Sequence, residues 1–117
     1  MKTRTESIER ALILNVEGRL DFSAAAGFQK DVEQALSSAQ QGSVGLIVDC
    51  NGLEYISSAG LRVFMLAART AQRTSVSFAL CSLQQSVREV FELSGFNRVM
   101  TVQPDRATAL AGLRGKP

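Results

Sequence analysis

Histidine is absent from all 117 residues. That one gap removes Ser-His-Asp and Cys-His catalytic machines, His-ligated zinc and the histidine phosphorelay together. Tryptophan is absent as well, there is one tyrosine, and aromatics make up 6% of the chain, which leaves few faces on which nucleic-acid bases could stack. Thirteen basic against eleven acidic residues give a net charge of +2, too small and too scattered to draw in nucleic acid. The only cysteines, Cys50 and Cys81, form no CxxC pair and read as two buried, reduced thiols; no metal site is expected. No apolar stretch is longer than a few residues, so no membrane insertion is expected. The start, MKTRTESIER, is charged and lacks the apolar core of a signal peptide, and the expected location is cytoplasmic.

What is present is an ordinary globular composition, 45% apolar and 21% charged, at a length that suits one domain spanning 1–117. No repeat or Pro-rich linker divides it. Ala11–Val16 reads as a strand, paired across a turn at Glu9-Arg10 with an antiparallel neighbour around Ile8, and broken by Gly18-Arg19-Leu20-Asp21. Helical spacing begins at Ser23, with Ala25, Phe28, Val32, Ala35, Leu36 and Ala39 on one stripe and Asp21 or Ser23 as its cap. Val44–Cys50 is a nearly continuous apolar run, as expected of a strand buried on both faces. A second helix follows Ser57-Ser58-Ala59-Gly60-Leu61 and runs to about Thr74. Val76–Cys81 alternates as a strand, and Ser82 is expected to cap a third helix carrying Leu83, Val87, Val90 and Phe91, stopped by Gly95. A strand over Arg98–Gln103 and a short helix with Ala107, Leu110 and Leu113 close the chain, 110–117 being expected as a frayed tail. The order β-β-α-β-α-β-α-β-α predicts an α/β fold: a mostly parallel central sheet, an antiparallel N-terminal edge strand and about four helices.

Catalytic arrangements fail one after another. No phosphate-binding G-x-x-x-x-G-K-[ST] or G-x-G-x-x-G loop occurs, and the lysines lie at the termini or on an exposed helix face. Asp21 and Asp49 follow strands and could in principle pair as acid and base, but capping and turn formation account for both. The unusual spot is Ser57-Ser58, two hydroxyls at a helix start where one would suffice as a cap. A helix N-terminus also accommodates a phosphate through its N–H groups and dipole. At 100° per residue, Gly60, Phe64, Ala67, Ala68 and Ala71 form the core side of that helix. Ser58, Arg62, Met65, Leu66, Arg69 and Arg73 share the opposite side, a mixture suited to docking a protein.

Four segments together are specific. Gly18-Arg19-Leu20-Asp21, Val48–Ile56, Ser57–Phe64 and Val87–Phe96 resemble, in order and spacing, the signatures of the STAS-domain anti-sigma factor antagonists of bacterial partner switching. The resemblance runs from about Ile8 to Leu113. It implies a STAS domain that is not an enzyme and needs no cofactor. In that family the unphosphorylated form binds an anti-sigma factor that is also a GHKL-type serine kinase, and a PP2C-type phosphatase reverses the phosphorylation. Aligned on Gly60-Leu61, the phosphorylated serine falls at Ser58, with Ser57 as the competing acceptor. Ser57 occupies the place of the family's usual Asp, and Ala59 that of its following hydroxyl. Asp21 matches the Asp of the G-x-L-D element near the partner-binding edge. Asp21, Asn51, Ser57, Ser58, Arg62, Met65, Leu66 and Arg69 are therefore the expected partner-binding residues. Other uses of the same family are a subunit of a lipid-transport ABC complex, a regulator of secretion or motility, and a small-molecule binder.

Overall fold

In the computed structural model, which describes residues 1–114, five strands form one sheet in the order β1-β2-β3-β4-β5. They are β1 (Lys2–Ile8), β2 (Ala11–Leu20), β3 (Gly45–Ile56), β4 (Phe78–Cys81) and β5 (Thr101–Gln103). The β1–β2 hairpin is antiparallel, turning at Glu9 with φ +52°, and the other three pairings are parallel. Among the described residues four α-helices accompany them: α1 (Ala25–Gln41), α2 (Ser58–Arg73), α3 (Gln85–Ser94) and α4 (Arg106–Arg114). The α/β order and the antiparallel edge expected from the sequence are both present.

Strand order equals chain order, so every parallel crossover steps the same way along the sheet. Right-handed crossovers then put α1, α2 and α3 on one face. The main core lies there, with Leu14, Val16, Leu46, Val48, Cys50 and Leu80 beneath Phe28, Phe64 and Phe91. The three rings join the three helices: Phe28 and Phe64 lie 5.2 Å apart, and Phe64 meets Phe91 edge-on at 5.6 Å. The other face is covered by α4, whose Ala109, Leu110 and Leu113 pack with Ile13, Ile47 and Cys81. Both thiols are unpaired and buried, on opposite faces of the sheet. Burial pushes the Cys50 thiol well above its ordinary value and Cys81 up to about 11.

Several boundaries differ from the sequence reading. Gly18-Arg19-Leu20 does not break β2, because Gly18 takes φ +105° and the strand runs on to Leu20. β3 runs past Cys50 to Ile56. Its register against β2 goes from Asn15↔Asp49 to Glu17↔Gly52, and from Gly18↔Leu53 to Arg19↔Tyr55. Each step places one extra residue in β3, a bulge that reverses the in–out alternation. Two reversals leave Leu53 and Ile56 both facing the helices. Ser82 does not cap α3: it sits at φ +62°, and Gln84 is the N-cap, without a side-chain bond to the helix. Gly95 ends α3 in the left-handed conformation, as expected. From 110 the chain is helical in α4 through Arg114, and the rest of the expected tail, 115–117, lies outside the described residues.

Candidate functional site

The ends of β2 and β3 run side by side, so the two segments that leave them emerge together. Leu20 pairs with Ile56, and the Ser57 N–H donates to the Leu20 carbonyl at 2.9 Å. Beyond Leu20 the chain makes a 3-10 turn, Phe22–Ala24, and beyond Ser57 it enters α2. Asp21 and the serine pair are thereby brought to one edge of the sheet.

Each group there has a definite task. The Asp21 carboxylate accepts from the Ser23 hydroxyl at 2.7 Å and the Ala24 N–H at 3.0 Å. Those bonds, the hydroxyl's first, hold its pKa below the usual carboxylate value. Asp21 therefore caps the 3-10 turn and not α1, whose N-cap is Ala24 without a side-chain bond; neither Asp21 nor Ser23 caps the long helix as expected. The Ser57 hydroxyl accepts from the Gly60 N–H at 3.1 Å, and its carbonyl accepts from the Leu61 N–H at 2.9 Å. Ser57 is the N-cap of α2 and does the work an Asp would do in that place. Ser58 is the first residue of the helix and exposed. Gly60 lets α2 start this close to the sheet: a Cβ there would lie 2.6 Å from Leu20 Cγ and 3.1 Å from Ile56 Cγ1.

Along α2 the buried residues are Gly60, Leu61, Val63, Phe64, Ala67 and Ala71, and Ala68 is only half-buried. Ser58, Arg62, Arg69 and Arg73 are exposed. Met65 and Leu66 do not stand free on that side; both are half-buried, Leu66 lining a groove against α1 with Val32, Leu36 and Val63. Asn51 is not brought to this edge. It lies at the first β3 bulge, where its N–H donates to Asp49 and its carbonyl accepts from Gln84. Five strand steps, about 17 Å, separate it from Ile56.

Asp49 is the buried charge among the described residues, 8% exposed. It does not pair with Asp21. Its carboxylate accepts from Arg106 at 2.9 and 3.0 Å, and Arg106 also reaches Glu6 at 3.0 Å and Asn15 at 2.8 Å. Among the described residues no three His, Cys, Asp or Glu side chains converge as metal ligands, and no helix is long and apolar enough to cross a membrane.

One residue at the edge is missing from the sequence reading: Phe22, 83% exposed at the start of the 3-10 turn. A signal was available, since helical phase places it about 120° from Phe28, off the apolar stripe, directly after a capping Asp. Nearby, the Arg19 guanidinium stacks over the Tyr55 ring at 4.3 Å.

This small α/β domain gathers a capped turn, a helix start and an exposed hydroxyl at one sheet edge. This chain belongs to the STAS domain family, whose model matches residues 2–109; it is a non-enzymatic binding domain. It is 35% identical over 114 residues to BtrV of Bordetella bronchiseptica, assigned as an anti-sigma factor antagonist, covering 97% of this chain and 96% of that protein. A structure from Thermotoga maritima with the same assignment superimposes with a TM-score of 0.86 at 20% identity, over 96% of this chain and 94% of that one. The anti-sigma factor antagonist SpoIIAA of Bacillus matches in both its unphosphorylated and phosphorylated forms, with TM-scores of 0.70 and 0.69 at 19% and 21% identity. Coverage is 98% and 97% of this chain and 100% of SpoIIAA in both cases.

Proposed function

We propose that this protein is an anti-sigma factor antagonist that binds a GHKL-type anti-sigma factor kinase and is switched off by phosphorylation of Ser58. The observation that carries this reading is the division of labour at the start of α2. Ser57 is committed to the cap through Gly60, while Ser58 is exposed on the first helical turn. BtrV's assignment supports the partner class, and the two forms of SpoIIAA support a phosphorylation switch on this fold.

Phosphate on Ser58 adds about −1.5 to −2 charge. The helix dipole and Arg62, one turn on, offset it within the folded domain. The fold therefore survives while the docking edge gains negative charge. On docking, the phosphate must be desolvated or face carboxylates, and a loss of about 3 kcal/mol weakens binding more than a hundredfold. A PP2C-type phosphatase returns the active form. The test is incubation of the chain with purified GHKL anti-sigma kinases of the source organism and Mg-ATP, followed by peptide mass mapping and calorimetric binding. One phosphate on Ser58 and loss of binding are expected; phosphate on Ser57 with none on Ser58 overturns the assignment.

A further inference from the structure

Phe22 is held out into solvent by a turn that is itself fixed. Asp21 accepts two hydrogen bonds across it, the Ala24 N–H also reaches the Asp21 carbonyl at 3.2 Å, and the turn packs against α2. The ring is 83% exposed, so it contributes little to the core. An aromatic ring on a rigid turn gives up little conformational freedom when it is buried by a partner, which is the property of an interface anchor.

The surroundings define what could bury it. α2 carries Arg62, Arg69 and Arg73 and no carboxylate, and the Asp21 carboxylate is occupied within its own turn. The 2.9 Å bond between Ser57 and Leu20, with two chain steps to Phe22 and one to Ser58, limits their Cα separation to at most about 18 Å. A protein interface of about 800 Å² per partner extends about 30 Å across. Ring, serine and Arg62 therefore fall within one footprint.

We infer that Phe22 is the apolar anchor of the docking surface. The ring enters a hydrophobic pocket on the anti-sigma kinase, and carboxylates at the pocket's rim meet Arg62. This rests on the reading of Ser58 as the switch and adds a reason for its strength, since a phosphate there would face the same acidic rim.

The test measures, by titration calorimetry, the affinity of purified GHKL anti-sigma kinases of the source organism for the wild-type chain and for Phe22→Ala, Leu93→Ala and Ser58→Asp. Leu93, 89% exposed on α3 beside Glu89 and Glu92, is the control for apolar exposure alone. Support is a loss of about 30-fold or more for Phe22→Ala, an affinity for Leu93→Ala unchanged within about twofold, and an unchanged thermal midpoint for both. Phe22→Ala binding as tightly as wild type while Ser58→Asp still weakens binding overturns the anchor and leaves the switch standing. Equal losses for Phe22→Ala and Leu93→Ala also overturn it. A wild-type chain that binds none of the kinases overturns both readings. Sedimentation and flotation with phosphatidylserine vesicles test the other occupants: dimerisation or vesicle binding that disappears in Phe22→Ala assigns the ring to a second copy or a membrane and overturns the proposal.

Discussion

Two adjacent serines with the same chemistry hold different positions at the start of α2, and stability measurements separate them. Ser57→Ala removes the acceptor of the Gly60 N–H and is expected to cost about 1 kcal/mol. Ser58→Ala alters an exposed side chain and is expected to stay within about 0.5 kcal/mol of wild type. Urea denaturation reads both. Gly60→Ala is a third case, because its Cβ would meet the buried Leu20 side chain at 2.6 Å. The helix start must shift, at a cost of about 1–3 kcal/mol, seen as a lower denaturation midpoint. At this scale much of the candidate site was legible. Asp21, Ser57, Ser58 and Arg62 follow from turn and cap chemistry together with helical phase. Phe22 was passed over although its phase lies off the apolar stripe, because the helical reading began at Ser23 and the 3-10 turn that carries the ring precedes α1. Asn51 was grouped with the serines because the strand reading stopped at Cys50, whereas β3 runs on through Asn51 to Ile56 and holds it away from them.

Strand β3 shows why element boundaries were harder to read than element order. A period of two identifies a strand only while the alternation holds, and two bulges break it between Asp49 and Tyr55. The helices gave themselves away through apolar stripes long enough to outlast a misplaced cap, as at Ser82. Helix α4 looked marginal because it is short and what holds it is distant in sequence: Ala109 and Leu113 pack with Ile13 and Ile47, and Arg106 joins Glu6, Asn15 and Asp49, from β1, β2 and β3. Removing that cation leaves Asp49, 8% exposed, without its counter-charge. Arg106→Ala is expected to cost about 1–3 kcal/mol, the network being partly open to water. It should also loosen α4 over Cys81. Burial keeps Cys81 protonated at neutral pH, with a pKa of about 11, so Ellman's reagent should react slowly with the native chain and faster with Arg106→Ala.

For the whole molecule, acid sensitivity follows from three carboxylates whose pKa values lie below their ordinary range, Asp105 exposed and Glu6 and Asp21 half-buried. Glu6 is lowered chiefly by Asn15, Asp21 by the Ser23 hydroxyl and Asp105 by the Thr108 N–H. Each ionises more readily folded than unfolded, so its stabilisation is complete above the unfolded value near about 4 and disappears as pH falls through the lowered folded value. The melting temperature should hold level from pH 7 to about 5 and then fall. Asp21→Asn, which can still cap but cannot titrate in this range, should fall less steeply. The one-sided arrangement of α1, α2 and α3 also matters during synthesis. Their face is closed by elements that precede β5, whereas Ile13, Ile47 and Cys81 wait for α4, which follows β5 in chain order. On the ribosome the growing chain therefore carries a bare apolar sheet face until α4 emerges. A chain ending at Gln103 should bind the dye ANS and the chaperones that guard nascent polypeptides, and lose both on addition of the remaining segment.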